Sequence, residues 1–159
     1  MGPGRAGRDD ASMDMRVAPS NTALRRIHHV VVATRRGQRY FEPFASACVA
    51  ARAFTDPRAL GDARLLAWVL MPDHAHWLLQ PGERETLAQV VSRMRARSGQ
   101  AVNRLRGEKR PVWASSWDDR VLHDGEDPRA MARFIVANPL RAGLVRALAD
   151  YPFWDAEWL

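Results

Sequence analysis

The spacing of hydrophobic and polar residues predicts a strand, a helix and a strand hairpin in the first half of the chain. Residues 27–34 (IHHVVVAT) form a β-branched run that predicts a strand, followed by a turn at RRGQR. Residues 41–54 (FEPFASACVAARAF) predict a helix, which Thr55-Asp56-Pro57 closes because the residue before a proline disfavours helical geometry. Met71-Pro72-Asp73 then separates the apolar runs LLAWVL and HAHWLLQ, and this predicts a hairpin or a bulged bend.

Helical spacing returns in the second half of the chain. Thr86 and Gln89 have the spacing of a capping box. The apolar residues that follow share one helical stripe, which predicts a core-facing side: Leu87, Val90, Val91, Met94, Ala101, Val102 and Leu105. Asp127 and Pro128 are typical of a helix start, and Pro139 predicts that this last helix ends at Asn138. The elements together predict an α+β fold with helices packed on an antiparallel sheet.

Length and composition limit how the chain is organised. A chain of 159 residues suits one domain with one functional site. Residues 1–22 are rich in Gly, Pro, Asp and Arg without an apolar period, so we expect a disordered tail before a single domain over residues 23–159. No apolar run approaches the roughly 20 residues of a membrane span, and the single cysteine, Cys48, excludes a multi-cysteine zinc site. We therefore expect a cytoplasmic protein that does not bind membranes.

The charge of the chain points towards an anionic partner. The formal net charge is +6, and of the 24 basic residues only Lys109 is a lysine. Arginine binds phosphate oxygens in pairs and stacks on bases, which favours a nucleic-acid partner. A GC-rich genome also enriches arginine, so this bias does not by itself establish a function.

His74 and His76 are the sharpest chemical feature. Because side chains alternate across a strand, both imidazoles point to one face, while Trp77 and Leu79 point to the other. Two neutral imidazoles can bind a divalent metal if a third ligand comes from elsewhere. Surface or core histidines have the same spacing, so the pair alone is weak evidence. Histidine-triad nucleotide hydrolases are excluded, because they need a third alternating histidine where this chain has leucine.

The histidine pair belongs to the first of three segments that together form a longer pattern. VLMPDHAHWLL is followed by RFIVANPLRAGLV and then by DYPFWDAEWL, with Trp113 and Asp119-Arg120 between them. In this order they resemble the REP-associated tyrosine transposases, a family of HUH (His-hydrophobe-His) transposases of single-stranded DNA. The resemblance runs from about Ile27 to Leu159. It implies a ferredoxin-like sheet that carries the two histidines, with a helix laid across it.

The resemblance also implies a reaction and its residues. In that family a magnesium or manganese ion polarises the scissile phosphate, and a tyrosine attacks it to leave a 5′-phosphotyrosine and a free 3′-hydroxyl. That tyrosine precedes the Asn of Asn-Pro by four residues, a position that Phe134 occupies in this chain. The resemblance assigns Asn138 as the third metal ligand beside His74 and His76. A phenyl ring has no oxygen to attack phosphorus, so we expect cleavage to be absent or very weak.

Other interpretations of these residues stay open. Tyr40 and Tyr151 are the only tyrosines, and neither matches the attacking position. Phe134 also fits a core residue within an apolar patch. Asn138 also fits a helix cap before a proline.

Basic and aromatic residues supply candidates for DNA contacts. Arg93, Arg97 and Arg104 share a face of the long helix and predict a basic ridge, although helices also solvate their outer faces with charge. Tryptophans in the following loop can stack on unpaired bases or belong to the core. The candidate DNA-binding residues are Arg35, Arg36, Arg93, Arg97, Trp113, Arg120 and Arg141.

The leading hypothesis is a transposase-family protein that binds single-stranded or hairpin repeat DNA with a divalent metal, as a monomer or a homodimer. Its DNA cleavage and transposition are impaired because Phe134 replaces the nucleophile. Three alternatives stay open. They are full activity through another nucleophile, a metal-dependent phosphodiester hydrolase that uses activated water, and a decayed DNA-binding remnant.

Overall fold

A computed structural model describes residues 26–159 and contains a five-stranded antiparallel sheet. The strands are β1 (His28–Ala33), β2 (Arg64–Leu70), β3 (His74–Gln80), β4 (Asp118–Val121) and β5 (Trp154–Ala156). The helices are α1 (Phe44–Thr55), α2 (Pro57–Leu60), α3 (Leu87–Arg106), α4 (Pro128–Val136) and α5 (Asn138–Arg141), with 3-10 turns at Arg35–Gly37 and Leu148–Asp150. The predicted disordered tail over residues 1–22 lies outside the described residues. Among the helices of residues 26–159, none has the length and apolar character to cross a membrane.

The strand order identifies the architecture. The chain runs β1-α1-β2-β3-α3-β4, and the sheet order is β4-β1-β3-β2-β5. Strand β3 therefore lies between β1 and β2, and every neighbouring pair is antiparallel. This split β-α-β arrangement is ferredoxin-like. The predicted α+β fold is confirmed, and β5 extends the sheet beyond β2.

Helices α1 and α3 cover one face of the sheet, which we call the α1/α3 face. Trp77 is fully buried there, with its ring centroid 5.2 Å from that of Phe54 and 5.9 Å from that of Trp113. Helix α3 begins with the predicted capping box, because Thr86 and Gln89 each accept a hydrogen bond from the other's backbone N–H. Burial of one large apolar side chain on this face contributes about 1.5–3 kcal/mol. The larger core cluster lies on this face.

Helix α4 lies against the opposite face, which we call the α4 face. Its residues Ile135 and Val136 are buried in one cluster with Leu78 of β3 and residues of β2. The helix begins as predicted, with Asp127 accepting a hydrogen bond from the backbone N–H of Arg129 and proline at the first position. Both faces of the sheet are thus covered, and α4 lies on the same side as the even-numbered residues of β3.

Some elements differ from the prediction. Elements α2, α5, β4 and β5 have only three or four residues each, too few to show a hydrophobic period. Helix α1 begins at Phe44 rather than residue 41, because Pro43 precedes it in an extended conformation. Helix α4 ends at Val136, two residues before the predicted end at Asn138. Leu105 is 48% exposed rather than core-facing, because the last turn of α3 at residues 104–106 is exposed to solvent.

Candidate metal and nucleic-acid site

His74 and His76 lie side by side at the start of β3, on the α4 face. The tight turn at residues 71–73 returns the chain from β2 into β3, and alternation then points both imidazoles the same way. Their ring centroids are 5.0 Å apart, and both residues are half-buried. Trp77 and Leu79 belong to the core cluster of the opposite face. The convergence that alternation predicts is therefore present.

Asp73 orients the ring of His74. The distance between His74 Nδ1 and Asp73 Oδ1 is 2.7 Å. An ionised carboxylate can only accept a hydrogen bond, so the imidazole Nδ1–H donates it. The lone pair of His74 then lies on Nε2, and a carboxylate behind a histidine in this way also increases its basicity as a metal ligand.

His29 of β1 occupies the equivalent position behind His76, which the sequence did not reveal. The distance between His29 Nε2 and His76 Nδ1 is 2.9 Å, and the two rings are nearly coplanar, with an interplanar angle of 21° and centroids 5.1 Å apart. The register pairs His29 with Leu78, which is the next residue of β3 after His76 on the same face. The two residues are 47 positions apart in the chain, so only strand pairing brings them together.

The electrostatic environment keeps the buried imidazoles neutral. Burial, followed by the nearby His74, His29 and Arg141, lowers the pKa of His76 from 6.5 to about 3. Burial, followed by the charge of Arg120, also lowers the pKa of His29. Desolvation disfavours the charged imidazolium, and neighbouring positive charges act in the same direction. His76 is therefore neutral at pH 7, which is the form that binds metal ions.

Phe134 lies on the surface of α4 and is 52% exposed. The alternative interpretation of Phe134 as a core residue is therefore wrong, because the buried side of α4 carries Ile135 and Val136 instead. The guanidinium carbon of Arg141 lies 4.0 Å from the centroid of the Phe134 ring, in cation–π geometry. Arg141 therefore contacts the exposed ring of Phe134, and its positive charge also lowers the pKa of His76.

Asn138 begins the short helix α5 and is half-buried. Its Nδ2 donates a hydrogen bond of 3.2 Å to the backbone oxygen of Ile135, which satisfies a carbonyl at the end of α4. The alternative capping interpretation therefore holds for the amide nitrogen. The amide oxygen takes no part in this bond and is the atom with which Asn138 could bind a metal ion.

The available donor set suits a divalent ion with mixed nitrogen and oxygen ligands. The carboxylate of Asp73 leaves Nε2 of His74 for an ion, and Nε2 of His76 is available when His76 carries its hydrogen on Nδ1. Within residues 26–159, no three His, Cys, Asp or Glu side chains group as a metal site. The remaining ligands would come from the Asn138 oxygen, water and substrate.

Neither tyrosine replaces the missing hydroxyl group at Phe134. Tyr151 donates its hydroxyl hydrogen to the backbone oxygen of Leu70, and burial raises its pKa to about 12. Tyr40 is buried in the core cluster of the α1/α3 face, on the side of the sheet away from the histidines. A phenol that is bonded or buried in this way is a poor nucleophile.

Two of the predicted DNA-binding residues form hydrogen bonds within the protein instead. Trp113 is only 6% exposed and donates its indole N–H to Ser98 Oγ at 2.9 Å, so its ring cannot stack on a base. Arg93 bonds Glu85 through both terminal nitrogens and donates from Nε to the backbone oxygen of Ala59. The predicted basic ridge therefore lacks Arg93, because an acidic neighbour outside α3 neutralises it.

The remaining arginines fall into separate places. Arg35 and Arg36 are exposed after β1 and line a groove of about 160 Å³ with Arg110. Arg97 and Arg104 line another groove, of about 360 Å³, between α1 and α3 and therefore away from the histidines.

Arg120 and Arg141 lie nearest the histidine pair. Each is exposed, and each is close enough to a buried histidine to lower its pKa. Arg120 also forms an ion pair with Glu126. Of the predicted DNA contacts, Arg141 is thus the one whose charge faces His76 without an acidic partner among the described residues.

Comparison with known proteins finds the same fold in a solved structure. No protein-family model and no curated protein sequence matches this chain. The structure of a REP-associated tyrosine transposase bound to a REP hairpin is similar over 81% of this chain and 75% of that chain, with a TM-score of 0.62 and 18% identity. A candidate transposase from Deinococcus radiodurans is 22% identical over 70% of this chain and 88% of its own, but its TM-score of 0.47 is too low to bear on the fold. The first likeness confirms the architecture that the sequence resemblance implied.

Proposed function

We propose that this chain is a member of the REP-associated tyrosine transposase family that binds single-stranded or hairpin DNA together with a divalent ion. Its strand cleavage is lost or very weak, because Phe134 has no attacking oxygen. The observation that carries the proposal is the arrangement of His74 and His76. Each ring has Nδ1 in a hydrogen bond, so its Nε2 is available to an ion when Nδ1 carries the ring hydrogen, and both rings lie on the face covered by the helix of Phe134.

The surroundings of the histidine pair favour a phosphate as the bound group. Arg141 is exposed and places a positive charge near His76. A guanidinium binds two phosphate oxygens at once, and the net charge of +6 favours association with a polyanion. The solved structure with the same fold is itself bound to a REP hairpin.

In the proposed complex the residues of this chain bind DNA and orient it. A divalent ion, when bound, polarises the phosphate oxygen that it contacts. His74 and His76 would hold the ion through Nε2, and Arg141 would move from the Phe134 ring to a phosphate oxygen. Cleavage would require an oxygen to bond to phosphorus while the bond to the leaving sugar oxygen breaks. Phe134 supplies no such atom, and loss of a nucleophile has cost on the order of 10⁶ in rate in another enzyme.

The decisive test restores the oxygen. Purified protein and Phe134→Tyr are incubated with end-labelled hairpin DNA and Mn²⁺, and covalent adducts are resolved on a denaturing gel. We expect an adduct from Phe134→Tyr and none from the unaltered protein. Phe44→Tyr is the matched control, because Phe44 is also exposed, at 66%, but lies in α1 on the other side of the sheet. It should bind the hairpin without forming an adduct.

Other results would replace the proposal. An adduct from the unaltered protein would reveal another nucleophile. Free cleaved product without an adduct would indicate a metal-dependent hydrolase. If neither the unaltered protein nor Phe134→Tyr binds the hairpin, the chain is a decayed copy.

The proposal extends to the assembly of the protein. We propose one domain over residues 23–159 that acts in the cytoplasm as a monomer or a homodimer. Light scattering after gel filtration, with and without hairpin DNA, measures the mass of the complex. A mass above two copies per hairpin would contradict this part of the proposal.

A further inference from the structure

His29 lies behind His76 in a position that no residue of the proposed site accounts for. It is 9% exposed, on strand β1, and its Nε2 is 2.9 Å from Nδ1 of His76. Its neighbour His28 points to the opposite face, where Nδ1 contacts Asp119 at 2.9 Å. The chain therefore presents two adjacent histidines with different surroundings, and only one of them touches the candidate site.

The bond between the two rings requires one shared hydrogen. If His29 donates it, His76 accepts at Nδ1 and its own hydrogen lies on Nε2, which then has no lone pair for an ion. If His76 donates from Nδ1, the lone pair of His76 lies on Nε2. Only the second arrangement leaves His76 able to act as a ligand, and it matches the one that Asp73 imposes on His74.

His29 is suited to be the acceptor. It is only 9% exposed, and burial favours the neutral imidazole, which retains one lone pair. The two rings are nearly coplanar, with an interplanar angle of 21°, so the facing nitrogens meet edge to edge as a hydrogen bond requires. A carboxylate here would bring a negative charge into a half-buried place, whereas a neutral imidazole accepts the hydrogen bond without that desolvation cost.

We propose that His29 is a positioning residue that accepts the Nδ1 hydrogen of His76 and so keeps the Nε2 lone pair of His76 free for a ligand. The proposal about the ring hydrogen stands on the strand geometry alone. Its consequence for a metal ion rests on the proposed function. Residues that hydrogen-bond the far ring nitrogen of a metal-ligating histidine are typically worth 10- to 100-fold in metal affinity.

The test reads the ring hydrogens directly. Nitrogen-15 NMR of the metal-free protein distinguishes protonated from unprotonated ring nitrogens of each histidine. We expect His76 to carry its hydrogen on Nδ1 in the unaltered protein. His29→Leu, which removes the acceptor, should shift the hydrogen to Nε2, and His29→Gln, whose amide oxygen can still accept, should restore Nδ1. His28→Gln is the matched control and should leave His76 unchanged.

Isothermal titration calorimetry with Mn²⁺ measures the consequence for metal affinity. We expect His29→Leu to weaken binding about 10- to 100-fold, with a smaller loss for His29→Gln and none for His28→Gln. Circular dichroism verifies that each variant is folded, and His29→Gln serves if His29→Leu is not. A hydrogen on Nε2 of His76 in the unaltered protein would overturn the inference. So would a folded His29→Leu that keeps both the Nδ1 hydrogen and the affinity.

The two proposals can fail separately. If the unaltered protein binds no Mn²⁺ but His76 carries its hydrogen on Nδ1, the metal part of the proposed function fails and the role of His29 in setting the ring hydrogen stands. If Mn²⁺ binds and His29→Leu has no effect on either measurement, the role of His29 fails and the metal site stands.

Discussion

The two faces of the sheet are built from the same strands but have different roles. On the α1/α3 face, Trp77, Phe54 and Met94 are fully buried, and the polar pair of Trp113 and Ser98 is satisfied by its own hydrogen bond. The α4 face packs a smaller cluster and gives up part of its area to a row of imidazoles. Buried polar rings cost stability unless they have partners. One face therefore supplies most of the core, and the other carries the chemistry.

The largest effect should come from breaking the α1/α3 face. Trp77→Ala leaves a cavity between Phe54 and Trp113, and large-to-small changes of this kind cost about 3–5 kcal/mol. Urea unfolding followed by circular dichroism measures the loss. Mn²⁺ affinity of the folded fraction should change little, because the ring lies on the other side of the sheet. A loss below about 1 kcal/mol would contradict our account of this face.

Acid should weaken the α4 face first. The pKa of His76 is about 3 in the folded protein and 6.5 without the fold, so between these values the unfolded chain binds the proton first. The contribution of His76 to the free energy of unfolding is therefore fully present above about pH 6.5. It falls as the pH drops, by about 1.4 kcal/mol for each pH unit per group. Metal-free urea unfolding at pH 5 and pH 7 tests this. His76→Gln should reduce the dependence on pH.

Removing the cap of α3 should have a smaller effect. Thr86→Ala deletes the oxygen that accepts from the backbone N–H of Gln89, which costs about 1 kcal/mol. Thr86→Asn is the control, because asparagine caps equally well, and should keep the stability of the parent. Thermal unfolding measures both. Equal melting temperatures for all three proteins would show that the cap contributes nothing.

The smallest effect separates two arginines that looked equivalent in the sequence. Arg141→Gln should reduce the slope of log affinity for single-stranded DNA against log salt by about 0.7, the value of one phosphate contact. Arg93→Gln should leave the slope unchanged, because Glu85 already neutralises this arginine. Fluorescence anisotropy at four salt concentrations measures both. A slope reduced by Arg93→Gln alone would reverse the assignment.

Local signals made the longer elements predictable. The capping box of α3, the Asp-Pro start of α4 and the turn between β2 and β3 each lie within a few residues, so the sequence contains the whole signal. Strands β4 and β5 have four and three residues and form because a neighbouring strand supplies their hydrogen bonds. No pattern within such short segments specifies the partner.

The sequence by itself determined that His74 and His76 share a face and that the position of Phe134 lacks an oxygen. Both are local properties, one of strand alternation and the other of a single side chain. Only the tertiary structure decided that His29 joins His76, that Trp113 belongs to the core and that Glu85 neutralises Arg93. These outcomes depend on strand register and helix packing between distant segments. Their energies come from contacts that exist only after the chain has folded.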